Sequence, residues 1–331
     1  MGSWIPGSGM ASSTTPAPTA DTRASRMVGL SPDALAFRRP ARTLWKDAWH
    51  QFTRHRLAMG GLAVLALLIL MTVVGPYLWP VPYNKVDYAM GLTGPSAVHP
   101  FGTDDLGHDL FARALWGGRV SLAVGIVAVV IAISLGTFVG AISGYFGGHL
   151  DNVLMRITDI FLSLPQLPLL LLTIFLFRDL LRSTIGPEAG IFVLIVVVIG
   201  ILNWMPVARL VRASFLSLKQ KEFVEAARSI GNKDGRIIWV HILPNVLSPV
   251  LVAATLGVGS AIITESALSF LGLGFPSDVP TWGRMLYDAQ NYIEIAPYWA
   301  IFPGLLIFAA VLSINYMGDG LRDALDPRRS A

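Results

Sequence analysis

The sequence predicts an all-α membrane protein with six transmembrane helices and both termini on the cytoplasmic side. Three observations carry this expectation. Of 331 residues, 53% are hydrophobic and only 14% are charged, where soluble domains hold about 25% charged residues. Six apolar runs approach or exceed the roughly 20 residues that a spanning helix needs. With those runs alternating from a cytoplasmic N-terminus, 19 of the 25 Lys and Arg fall on the inside and 6 on the outside, as the positive-inside rule requires.

Residues 1–42 are rich in Ala, Ser, Thr and Pro and contain no apolar run long enough for an export signal. They read as a disordered segment. Residues 43–56 follow as an amphipathic helix. Leu44, Ala48 and Phe52 fall at i, i+4, i+8, with Trp45 and Trp49 beside them and Lys46, Arg54 and Arg56 placed for lipid headgroups. This pattern favours a helix lying in the cytoplasmic interface over a plain extension of the first span. A transmembrane domain is expected over 57–317 and a cytoplasmic tail over 318–331.

The first span is Leu57 to Trp79 and the second Val120 to Tyr145. Gly136, Gly140 and Gly144 in the second repeat a small-xxx-small spacing that lets helix backbones approach closely, either within the chain or against another one. The third, Phe161 to Phe177, is short and carries Pro165 and Pro168. The fourth is Ile191 to Val207, the fifth Val246 to Leu271 and the sixth Tyr298 to Met317.

Several chemistries are disfavoured. There is no cysteine, so disulfides and thiolate metal sites are excluded. No aromatic-basic cluster of the kind that binds nucleic acid occurs. No phosphate-cradling G-x-x-x-x-G-K-[ST] loop, G-x-S-x-G or H-E-x-x-H is present, so no catalytic residue is assigned. Asp104, Asp105, His108 and Asp109 could mimic a cation site but lack ligand spacing, and no metal is expected. Within the spans the main ionisable group is Glu265, in the outer half of the fifth, and Asn203 is a polar residue in the fourth. Both are candidates for a translocation path or gate. A lone acid is also read as a helix cap or backbone-bonding group, since a proton relay needs company. Without internal energy coupling, transport needs a motor from outside the chain.

The segment between the fourth and fifth spans, "EFVEAARSIGNKDGRIIWVHILPN", is charged and helical. Phe223, Ala227 and Ile230 form a stripe at i, i+4, i+7. Glu222 and Glu225 lie in its early turns, where negative charge favours the helix dipole. Gly231 can adopt φ > 0 and end the helix, and Pro244 suits the first turn of the helix that follows. These features describe a short helical knob outside the bilayer.

Glu225-Ala226-Ala227, then Gly231, then Leu243-Pro244 resembles the EAA loop of bacterial ABC-importer permeases, E-A-A-x3-G-x9-I-x-L-P, with His241 at the first isoleucine. "HPFGTDDLGHDLFARALWGGRVSL", "PTWGRMLYDAQ" and "GDGLRDALDPR" are similar to the C-type subunit of the dipeptide/oligopeptide/nickel permease family; His108 and Ala112 stand where that signature has Arg and Ser. The resemblance covers about Leu44 to Arg329. It implies a type I importer permease in the bacterial inner membrane, paired with a second permease subunit. Two ATPase subunits would bind ATP and Mg, none of it held by this chain, and an extracytoplasmic solute-binding protein would deliver cargo. It further implies a coupling helix at Glu222, Glu225, Ala226, Ala227, Gly231, Leu243 and Pro244, with a lesser contact from "GGHLDNVLMRITDIFLSLP". The outer loop with Asp104, Asp105 and Asp109 would dock the binding protein. Short peptides are the first cargo implied, then nickel chelates, glutathione or oligosaccharides. A stand-alone carrier and a membrane scaffold are the competing classes.

Overall fold

The computed structural model describes residues 44–325, with side chains from 48 onward. The chain divides into two units, 1–47 and 48–331. Of the first, only the opening turn of a helix is described. The segment expected to be disordered, 1–42, and residues 326–331 lie outside the described residues.

The helices are α1 (Leu44–Arg54), α2 (Arg56–Leu78), α3 (Leu110–Phe146), α4 (Gly148–Ser163), α5 (Gln166–Ile185), α6 (Pro187–Ile201), α7 (Trp204–Leu218), α8 (Glu222–Ser229), α9 (Asp234–Arg236), α10 (Leu243–Phe270), α11 (Trp282–Ala289) and α12 (Tyr298–Leu325). Among the described residues, five stretches are long and apolar enough to cross a membrane: α2, α3, α6 with α7, α9 through α10, and α12. A sixth is reached if α4 and α5 count as one bent span.

That bend corrects the expectation of a third span over Phe161 to Phe177. The helices α4 and α5 meet at 88°, and Leu164 between them is extended, at φ −79° and ψ 139°. Pro165 disfavours helical backbone in the residue before it and supplies no N–H to continue the ladder. Helix α4 also buries Asp151 and Thr158, while Leu150, Val153, Ile157 and Ile160 are exposed together with Arg156 and Asp159.

Helix α3 begins ten residues before the expected start at Val120. Asp109 caps it, accepting from the N–H groups of Phe111 at 2.8 Å and Ala112 at 3.1 Å, which satisfies donors that a helix start leaves free. At 1.5 Å per residue its 37 residues span about 55 Å. It therefore extends well past a hydrocarbon core of about 30 Å.

The described part of the α1 stripe packs within the protein. Ala48 and Phe52 are buried with Ala58 of α2 and Ala324 of α12, flanked by Leu62 and Met317, while Trp49 is 63% exposed. The close approach depends on Gly320, where a Cβ would lie 2.3 Å from that of Ala58. The tail expected from 318 is, through Leu325, the last turns of α12.

The three glycines of the second span pack inside this chain, against α7. A Cβ on Gly136 would lie 2.6 Å from the Trp204 carbonyl oxygen, on Gly140 2.5 Å from that of Ala208, and on Gly144 2.8 Å from that of Arg212. The glycine face is thus occupied without a second subunit.

Candidate functional site

The knob forms at one end of the spans, where α7 leaves the apolar region. Helix α8 has eight residues and ends in a Schellman turn. The Asn232 N–H bonds the Ala227 carbonyl at 3.2 Å and the Gly231 N–H bonds that of Arg228 at 2.9 Å. Gly231 takes φ +83°, a conformation that favours glycine.

The buried face of α8 is not the expected stripe. Val224 and Ala227 are buried with Ile237, Ile238, Ile242 and Phe215, whereas Phe223 is 41% and Ile230 79% exposed. The Gly231 turn folds the chain back so that Ile237 and Ile238 cover the i, i+3 pair Val224 and Ala227. Phe223, Glu222, Glu225, Ala226 and Ile230 are left on the outer side. Val224 is therefore an anchor that the i, i+4, i+7 template passed over.

Pro244 does not start a separate helix. From Asp234 to Phe270 the chain is one continuous helical stretch with a π turn at Ile237–Ile242. Proline cannot donate to the carbonyl four residues back and crowds it. The wider turn accommodates this, with the Leu243 N–H bonding the Ile238 carbonyl. Leu243 is half-buried and Pro244 exposed.

Contacts distant in sequence brace the knob. The Tyr145 hydroxyl at the end of α3 donates to Asp234 at 2.5 Å. Beside it, Arg212 of α7 grips Asp151 of α4 with both nitrogens, at 2.5 and 2.6 Å, and Ser143 of α3 also donates to Asp151. Lys219 donates to the Gly144 carbonyl at 2.9 Å. Three helices are thus tied together directly beneath α8. No local pattern marks a bidentate pair between residues 151 and 212.

At the opposite end, the three aspartates of the outer loop separate into different roles. Asp109 is fully buried; besides capping α3 it accepts from Trp79 Nε1 at 3.0 Å and lies 3.1 Å from His99 Nδ1. Asp104 is buried and accepts from the His108 backbone N–H at 2.8 Å, with His108 Nδ1 at 2.7 Å. His108 thus serves as a loop brace. Asp105 alone of the three is exposed, and Tyr292 donates to it at 3.1 Å. That hydrogen bond to a carboxylate pushes the Tyr292 phenol up from its ordinary value. Nearby, burial pushes the Asp288 carboxyl up, opposed by Arg284 at 2.8 Å. Asp104, Asp105, His108, Asp288 and Tyr292 line a cavity of about 690 Å³ with Tyr83, Glu188 and Asp278 on its walls.

Glu265 lies within the helix packing. It is completely buried and accepts from Ser269 at 2.8 Å, Thr281 at 2.9 Å and Ser121 at 3.3 Å. The Trp282 N–H donates to Ser121 in turn, at 3.2 Å. The carboxyl therefore joins α3, α10 and the start of α11. Glu265→Ala is expected to leave these hydroxyls without their acceptor, at about 1–3 kcal/mol for an unsatisfied buried group, and to lower the thermal unfolding midpoint in detergent. Glu265→Gln, which keeps the volume and one acceptor oxygen, should lose less. An alanine variant as stable as the parent would show that the network does not hold α11.

Asn203 sits at the break between α6 and α7. It donates to the Ile199 carbonyl at 2.7 Å and accepts from Gln166 at 3.1 Å. It lines a cavity of about 360 Å³ between α3 and α10.

Comparison with known proteins places these features in a family. Residues 136–331 match the family described as binding-protein-dependent transport system inner membrane component. Residues 43–95 match the N-terminal TM domain of oligopeptide transport permease C. The dipeptide transport system permease protein DppC of Alkalihalophilus pseudofirmus is 42% identical over 284 residues, 86% of this chain and 90% of that protein. The oligopeptide transport system permease protein OppC of Haemophilus influenzae is 42% identical over 289 residues, 87% and 89% of the two chains. The glutathione transport system permease protein GsiD of Pectobacterium atrosepticum is 40% identical over 288 residues, 87% and 92%. The fold resembles that of a chain of the MetNI methionine ABC transporter in an inward facing conformation, at 20% identity and TM-score 0.51, covering 66% of this chain and 96% of the other. Identity of this extent, together with a family match over residues 136–331, means that the chain belongs to the family of inner membrane permease components of binding-protein-dependent ABC transport systems.

Proposed function

We propose that this chain forms a translocation path with a second, similar permease subunit and is driven by two ATPase subunits that seat on α8. The observation that carries this reading is the outer face of α8. Phe223, Glu222, Glu225 and Ile230 project from a helix whose other side is held by Val224, Ala227 and the Gly231 turn. An exposed apolar pair rimmed by carboxylates, on a rigid eight-residue helix, fits a groove in a soluble partner. The ionic cluster of Asp151, Arg212 and Lys219 gives that helix a stiff base, so a push on α8 is passed to α3, α4 and α7. Helix α4 adds a lesser contact next to it. An extracytoplasmic binding protein docks on the outer loop, where Asp105 is the available carboxylate. Cargo is a short peptide, a reading supported by the dipeptide, oligopeptide and glutathione transport systems to which its relatives belong.

Reconstitution tests the reading. Peptide uptake should require ATP, both ATPases, the binding protein and a distinct second permease; transport by this chain alone would support the stand-alone carrier instead. Orientation is tested with thiols, because the chain has no cysteine. Asp105→Cys should react with an impermeant reagent from the outer face, and Lys233→Cys only from the inner face. The opposite labelling would invert the topology.

A further inference from the structure

Two cavities along α10 share a wall. One, of about 360 Å³, lies between α3, the α6–α7 break and the middle of α10, and carries Asn203 and Ser260. The other, of about 440 Å³, lies between α7, the beginning of α10 and the last turns of α12, and carries Ser248 and Arg322. Leu210, Ala253 and Leu256 line both, so the two form one groove. From Ser248 to Ser260 it follows about 18 Å of helix, more than half of a hydrocarbon core of about 30 Å.

Small side chains make the room. Ala253, Gly257 and Ser260 follow one another at i, i+4, i+7 on α10, opposite Ala128 and Ala132 of α3. The groove ends where packing closes. Ile262 and Glu265, within the next two turns, are completely buried, and Glu265 is tied down by Ser121, Ser269 and Thr281. It is therefore accessible towards the α8 end and blocked towards the other.

We infer that this groove is the chain's half of the translocation path, open to the cytoplasm, and that it accepts cargo bearing neutral hydrogen-bonding groups and a free carboxylate. The inference rests on the importer reading above. Among the described residues, no carboxylate lines either cavity; the polar side chains are the amide of Asn203, the hydroxyls of Ser248 and Ser260, and the guanidinium of Arg322. Such a lining offers nothing to a bare metal cation. A zwitterionic peptide brings amides for the first three and a terminal carboxylate for the arginine, whose planar fork pairs with carboxylates.

The test uses the complete transporter, with ATPases and second permease, in vesicles whose cytoplasmic face is outward. Leu256→Cys, Ser260→Cys and Ile263→Cys are treated separately with a cationic methanethiosulfonate. Ile263 is 51% exposed on α10 but lies outside the groove. Leu256→Cys and Ser260→Cys should be modified rapidly and Ile263→Cys roughly a hundredfold more slowly, the ratio set by carrying a cation into hydrocarbon. Equally slow modification at all three positions, in vesicles where the cysteine-free parent shows ATP-dependent dipeptide uptake, would overturn the groove while leaving the importer reading intact. A parent without such uptake would remove the importer reading itself. Arg322→Gln should reduce uptake of a free dipeptide severalfold more than uptake of its C-amidated form. Equal loss of both would refute the carboxylate assignment.

Discussion

Gly231→Val is expected to uncouple ATP hydrolysis from uptake while leaving membrane insertion near normal. The residue sits at φ +83° with open space around the position of a Cβ, so the added Cβ meets no neighbour and the expected penalty is backbone strain. That strain is about 1–2 kcal/mol for an L-residue in the left-handed region, enough to shift a local equilibrium by a factor of about 5–30. The strained turn relaxes by extending or bending α8. Either motion moves Phe223 and Ile230 relative to the anchors Val224 and Ala227. A Cβ at Gly231 touches none of the spans. Hydrolysis and peptide uptake should be measured side by side in the reconstituted complex. Glu225→Lys should produce a related defect by reversing charge in the first turn of α8 without altering the turn. Lys233→Ala, two residues past the glycine and exposed, should have little effect. Coupled uptake at the parental level in both Gly231→Val and Glu225→Lys would mean that α8 is not where the ATPases act.

Gly140→Leu should produce the largest loss of stability. A Cβ there would already lie 2.5 Å from the Ala208 carbonyl oxygen and 2.8 Å from the Val211 Cβ, and backbone does not yield as a side-chain tip would. Overpacking of a tight core contact typically costs about 1–3 kcal/mol, and leucine adds three further carbons to that clash. The α3–α7 interface also carries Arg212, so its separation loosens the grip on Asp151 and the base of α8. Gly140→Leu should therefore lower the unfolding midpoint by several degrees and reduce recovery of the monodisperse complex. Gly60→Leu, where the added carbon meets nothing, is the comparison. If both variants unfold like the parent, the glycine row does not set the helix approach.

These two sites differ in how far they could be read before any coordinates. The Gly231 turn was legible because its parts lie within ten residues: the amphipathic run, the acidic first turn and the glycine all describe one local bond pattern. The Gly136–Gly140–Gly144 row was legible only as a close-packing face. Its partner, α7, is separated by some sixty residues, and nothing in the row itself says whether another helix of this chain or a second subunit fills it. The α8 stripe failed for a similar reason. Phe223 and Ile230 match helical periodicity, but Ile237 and Ile238, beyond the turn, cover Val224 and Ala227 instead.

The sequence by itself determined that the protein is helical and membrane-spanning, where most spans lie, and that a short helix with a glycine stop interrupts them. These follow from hydropathy, capping and φ preferences, which act over one or a few consecutive turns. Only the tertiary structure decided that Pro165 bends α4 against α5 by 88°, that Asp104 and Asp109 are internal braces with Asp105 left outside, and that Glu265 is buried against three hydroxyls. Each depends on which groups meet across long separations, such as Ser121 and Glu265, 144 residues apart. An acid in an apolar helix has the same local signature whether it faces water or three hydroxyls. The energy that separates those cases is hydrogen bonding and desolvation, and it exists only once the helices have packed.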